Sequence, residues 1–224
     1  MAQRVLVIGN KNYSSWSLRP WLVLRMAGID FEEERIPLYV PGAREAILRH
    51  SPAGKVPVLR DGDRLVFESL AICEYAAELA PQAGLWPADA GARAHARSIS
   101  AEMHAGFAAL RNAMPMNVRE RGRRLAVPPP EAVRDDVARI TAIFEQCRAG
   151  YRADGPFLFG GFTIADAMFA PVVTRFATYS VALPAAAQMY ADAVLAIAPM
   201  QEWLRDAAAE RERIEATEEL LAPR

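Results

Sequence analysis

The apolar positions of this chain change their period along its length. Residues 4–9 (RVLVIG) form a short continuous apolar run, the pattern of a buried strand. A polar loop from Asn10 to Ser14 follows. Leu18, Trp21, Leu22, Arg25 and Met26 then recur at helical spacing, with Gly28 as the stop signal. Pro20 fits such a helix only in its first turn, where a missing N–H costs nothing. Residues 31–38 read as a second strand and 44–49 as a short helix. Residues 56–60 and 64–68 read as strands joined by the hairpin signal Asp61-Gly62-Asp63, and 69–80 as a helix stopped before Pro81. Beyond a Pro/Gly-rich stretch (PQAGLWPA) everything reads as helix: 89–117, 131–148, 162–175, 185–198 and 200–210. Met103, Phe107, Leu110 and Met114 make one stripe on the long helix 89–117.

The first 80 residues therefore run β-α-β-α-β-β-α, a hairpin preceded by strands that need crossovers. That is the order of a thioredoxin-like α/β domain. The expected organisation is this domain at 1–80, a linker at 81–88 and an all-α helical bundle at 89–224.

Composition removes several classes of function. Of 224 residues, 26 are Lys or Arg and 27 are Asp or Glu, so no bulk basic charge points to nucleic acid. No apolar stretch is long enough for a membrane span. The N-terminus has no signal-peptide pattern, which implies a cytoplasmic protein. Cys73 and Cys147 stand alone, with neither CxxC nor zinc spacing, so neither a disulfide framework nor a metal is expected. One skew is informative. Only two of the 26 basic residues are lysines, Lys11 and Lys55.

Candidate chemistry concentrates at four places. Tyr13-Ser14-Ser15-Trp16-Ser17-Leu18-Arg19 lies between the first strand and the first helix, where unpaired N–H groups and a partial positive charge stabilise an anion, including a thiolate. Serines there serve as N-caps, and their hydroxyls can also donate to a thiolate brought by another molecule. Lys55-Val56-Pro57-Val58-Leu59 puts a proline at a strand entrance, where it donates nothing to the ladder. Glu68-Ser69 opens the helix after the hairpin and offers a carboxylate for an ammonium beside donors for a carboxylate. Thr163 and Asp166 form a capping-box pattern whose role is folding.

The runs S-S-x-S-x-R, V-P-V-L, E-S-L-A-I-x-E-Y and T-I-A-D resemble, in order and spacing, those of the cytosolic glutathione S-transferases over essentially the whole chain. The serine run is most similar to the zeta class, which includes maleylacetoacetate isomerases; Trp16 stands where that class has a cysteine. The resemblance implies glutathione as co-substrate, held by Lys55, Val56, Pro57, Glu68, Ser69 and Asn112. It implies Ser14 or Ser15 facing the sulfur, Ser14 favoured, and a cis Val56-Pro57 bond. Ala108 stands where the zeta class has a glutamine. The second pocket would draw on Tyr13, Trp16, His104, Arg111, Met114, Met116, Asn117 and Arg175. The implied activity is attack of the glutathione thiolate on a small electrophile, with zeta-like isomerisation or a non-catalytic binding role as alternatives, in a homodimer.

Overall fold

The computed structural model describes residues 4–151 and 155–223. The first apolar run forms β1 (Arg4–Ile8). Leu6 and Ile8 enter one apolar cluster and Val7 another, as the two-residue strand period requires. β2 (Glu32–Arg35) pairs parallel with β1, while β3 (Val58–Asp61) and β4 (Arg64–Phe67) add antiparallel, giving the order β2-β1-β3-β4. Residues of helices α1 (Ser15–Met26) and α3 (Ser69–Leu79) join the cluster of Leu6, and Ile36 and Ile47 of α2 (Ala43–Leu48) and its approach join that of Val7. The thioredoxin-like arrangement is the one that the element order predicts.

Two local expectations change in this half. The second strand ends at Arg35, because Pro37 has no N–H for a ladder and the Leu38 amide donates to Asn10 Oδ1 at 2.7 Å instead. Helix α1 begins at Ser15, so Pro20 lies inside it rather than in its first turn. There it removes one helical hydrogen bond, which burial of Leu18, Trp21 and Leu22 outweighs.

The rest is helical: α4 (Ala90–Ala105), α5 (Ala108–Ala113), α6 (Glu131–Gly150), α7 (Ile164–Thr178), α8 (Ala185–Ala196), α9 (Ala198–Ala209) and the single turn α10 (Glu215–Glu218). The long helix expected over 89–117 is broken. Gly106 N–H closes α4 on Glu102 O at 2.8 Å, and Phe107 adopts a left-handed φ of 60°. Asp136 of α6 receives the Leu110 N–H at 2.9 Å, capping α5 from outside. Met103, Phe107, Leu110 and Met114 are nevertheless all buried, so the stripe survives the break. Helix α7 is buried along nearly its whole length. The capping pattern at its start forms as expected: the Asp166 carboxylate accepts Thr163 N–H at 2.8 Å, and also Leu158 N–H at 3.0 Å.

One apolar cluster runs continuously from the sheet into the helices, from Leu6 and Trp21 to Phe144 and Trp203. Lys11 pins the two parts together. Its buried ammonium lies 2.7 Å from Glu33 and 2.6 Å from Asp206, 5.0 Å from the ring centre of Trp21 and 5.4 Å from that of Trp203.

Candidate active site

A cleft of about 1040 Å³ opens between the sheet unit and the helices. The serine run forms one wall. Ser14 is the N-cap of α1. Its Oγ accepts Ser17 N–H at 3.4 Å and lies 2.7 Å from Ser17 Oγ. Ser15 is the first helical residue, and both Ser14 and Ser15 line the cleft. The two hydroxyls thus stand at the start of a helix, whose partial positive charge suits an anion.

Val56, Pro57 and Lys55 line the opposite side. The Val56-Pro57 bond is cis. The β1–β3 ladder begins at Val58, so the Val56 backbone stands outside it and is open to an extended ligand. Lys55 is exposed at the rim. Glu68 and Ser69 close the end of this side. Glu68 sits at φ 69° as the N-cap residue of α3 without capping it, which leaves its carboxylate half exposed toward the cleft. The Ser69 hydroxyl is buried and has no hydrogen-bond partner among the described residues. An ammonium and a carboxylate on one carbon would satisfy both groups.

The helical side of the cleft is cationic. The Trp16 ring has the Arg19 guanidinium 4.4 Å from its centre, the Arg111 guanidinium at 4.7 Å and the His104 ring edge-on at 5.2 Å. Arg175, almost fully buried, donates to Met114 O at 2.8 Å and Pro171 O at 3.1 Å. Arg111 donates to Gly106 O at 2.9 Å and to Met103 O. Burial first, and then neighbouring guanidinium groups, lowers two of them: Arg19 falls well below its ordinary range through burial and then Arg111 and Arg175, and Arg175 drops to about 9 through burial and then Arg111. His104 is likewise held below its usual value by burial and then by Arg19, against the opposing pull of Glu68, whose carboxylate is 3.9 Å away.

Two models of a single family match the chain. The N-terminal domain of glutathione S-transferases covers residues 13–79 and the C-terminal domain covers 130–215. The chain belongs to the glutathione S-transferase family. Two similar proteins are a probable maleylacetoacetate isomerase of Caenorhabditis elegans and a maleylacetoacetate isomerase of Pseudomonas aeruginosa. The first is 36% identical over 99 residues, 44% of this chain and 46% of that protein. The second is 32% identical over 109 residues, 47% of this chain and 51% of that protein. The matches thus span about half the length of these relatives. Among solved structures, a Burkholderia glutathione transferase homolog with bound glutathione aligns with a TM-score of 0.69. It is 23% identical and covers 93% of this chain and 100% of its own. The Omega 2C transferase of Trametes versicolor aligns at 0.67 with 20% identity, covering 97% of each chain. At these identities the structures show the shared fold.

Most of the residues singled out in the sequence of this family member meet in the one cleft: Tyr13, Ser14, Ser15, Trp16, Lys55, Val56, Pro57, Glu68, Ser69, His104, Arg111, Asn112, Met116 and Arg175 all line it. Met114 and Asn117 do not. Met114 is packed in the core just past the end of α5, and Asn117 is taken up by Asn12 Nδ2 at 2.8 Å and Glu218 Oε1 at 3.2 Å. Tyr13 is not a free hydroxyl. It donates to Glu218 at 2.6 Å and accepts from Arg119 at 2.8 Å and from Ile214 N–H at 3.2 Å. Arg119 in turn donates to Glu210 O and Glu212 O. The C-terminal segment carrying Ile214 and Thr217 thereby becomes a wall of the cleft, for which no local sequence signal exists.

Proposed function

We propose that this chain is a glutathione transferase whose thioredoxin-like part, residues 1–80, binds glutathione while residues 89–224 hold the electrophile beyond a linker at 81–88. The observation that carries this reading is the convergence, in one cleft, of the serine-bearing start of α1, the open Val56 backbone and the Glu68-Ser69 pair. Glutathione laid across them has its γ-glutamyl ammonium at Glu68, its γ-glutamyl carboxylate at Ser69 and its glycyl carboxylate within reach of Lys55. Its cysteinyl backbone then meets Val56 and its sulfur meets Ser14 or Ser15. A free thiol near pKa ~8.5 is only a few percent ionised at neutral pH. Lowering it by ~2 units takes ~2.7 kcal/mol of preferential anion stabilisation, within reach of a hydroxyl donor plus a helix terminus. The thiolate then forms the C–S bond, and the leaving group departs or the adduct is retained.

The guanidinium groups of Arg111 and Arg175 favour an electrophile that carries a carboxylate. That supports a second reading, addition to and elimination from a conjugated dicarboxylate with cis–trans isomerisation, as the names of the two isomerase relatives suggest. Homodimerisation and a cytoplasmic location complete the proposal; exposed Leu65 and Phe67 on the edge strand β4 support the first. An assay panel with glutathione against aryl halides, hydroperoxides and maleylpyruvate decides among the reactions. Retention on immobilised glutathione is expected, and failure to bind glutathione at millimolar concentration would refute the enzyme reading.

A further inference from the structure

Ser17, the third serine of the run, lies beneath the other two and is completely buried. Its Oγ accepts the Gly9 amide N–H at 3.1 Å and lies 2.7 Å from Ser14 Oγ. A hydroxyl has one proton to give. Ser98 and Ser100 give theirs to the carbonyl four residues back. Ser17 makes no such bond, and Ser14 Oγ is its one hydrogen-bond acceptor among the described residues. Were Ser14 to donate to Ser17, the Ser17 proton would be buried without an acceptor, which carries the full desolvation penalty. The Ser17 O–H therefore points at Ser14. Ser14 then accepts from both the hydroxyl and the amide of Ser17, and its own proton is left for the cleft that it lines. Ser15 lines the same cleft, but no hydrogen bond among the described residues fixes the direction of its proton.

Resting on the glutathione reading above, we propose that Ser17 is a positioning residue that aims the Ser14 proton at the glutathione sulfur through a relay from Gly9 N–H to Ser17 to Ser14. Donors in series polarise one another, so the relay also strengthens the terminal bond.

The test is the ultraviolet absorbance of bound glutathione against pH, with binding of S-methylglutathione measured beside it by calorimetry. Ser17→Ala is expected to reduce the bound thiolate roughly 3–10-fold below the titration midpoint, a shift of about half to one pH unit. S-methylglutathione, which has no thiol to ionise, should bind within about twofold of wild type. Ser14→Ala should shift the titration at least as far, the double variant no further than Ser14→Ala alone. Ser17→Thr, which keeps the hydroxyl, should restore the wild-type titration. If Ser17→Ala does not fold, Ser17→Cys keeps the volume with a weaker donor and carries the same expectation. An unchanged titration in the Ser17 variants overturns the proposal. So does additive loss in the double variant, or an equal loss of S-methylglutathione binding. Wild-type protein that binds neither ligand instead overturns the glutathione reading itself.

Discussion

At the scale of single residues, Ser14 and Lys55 carry the sharpest expectations. Removing the Ser14 hydroxyl would take away the donor proposed for the sulfur, so Ser14→Ala should cut conjugation of a model aryl halide at least ~10-fold, about 1.4 kcal/mol of transition-state stabilisation. Ser15→Ala should cost much less, and steady-state kinetics of both variants decides between them. Lys55→Arg should weaken glutathione binding by calorimetry, because a compact ammonium and a broad guanidinium do not sit alike beside a carboxylate. Lys11 has a different task. Held between Glu33, Asp206 and two indoles, it is a structural cation. Lys11→Met should lower stability in urea by about 2–3 kcal/mol while leaving the glutathione dissociation constant near wild type. The near absence of lysine in the sequence pointed to both residues, but sequence adjacency to the serine run could not tell a staple from a ligand contact.

At the scale of elements, the break between α4 and α5 shapes the helical side of the cleft. Gly106 is required there: a Cβ would lie 2.9 Å from the Glu102 carbonyl oxygen, which is backbone and cannot swing away. Gly106→Ala should destabilise by about 1–3 kcal/mol in urea and disturb Arg111, which donates to the Gly106 carbonyl. Continuous helical periodicity through 89–117 concealed this break, because burial of the stripe is the same with or without it. By contrast, the Thr163–Asp166 cap was legible because all of its parts lie within four residues. Its acid is pushed up from 3.8 to about 6, chiefly by burial. A folded-state value above the unfolded one means that the native state binds more protons between these limits. The contribution of Asp166 to stability is therefore full below about pH 4 and declines as pH rises through about 6. Asp166→Asn should remove that downward slope, seen as a smaller difference in urea midpoint between these two pH values.

At the scale of the whole molecule, the site depends on contacts between residues about two hundred positions apart. The backbone amides of Lys11 and Asn12 donate to the Glu210 carboxylate at 2.6 and 3.0 Å, and Trp203 Nε1 donates to Lys11 O at 2.9 Å. These bonds fix the loop that leads into Ser14 to the far end of the chain. Motifs that lie within one turn or one hairpin marked, from sequence alone, residues that line the sheet side of the cleft. The C-terminal wall and the stack of Arg19, Trp16 and Arg111 arise only when separate helices meet, so neither had a sequence pattern. Arg111→Ala should raise KM for a carboxylate-bearing electrophile more than for a neutral aryl halide, a comparison that isolates the charge term.

The most direct test of the central claim is the pH titration of the thiol of glutathione bound to the wild-type protein, followed by ultraviolet absorbance. The cleft is expected to bring the midpoint down by ~2 units from the free-thiol value of ~8.5. A bound thiol that titrates as it does in free solution would contradict it.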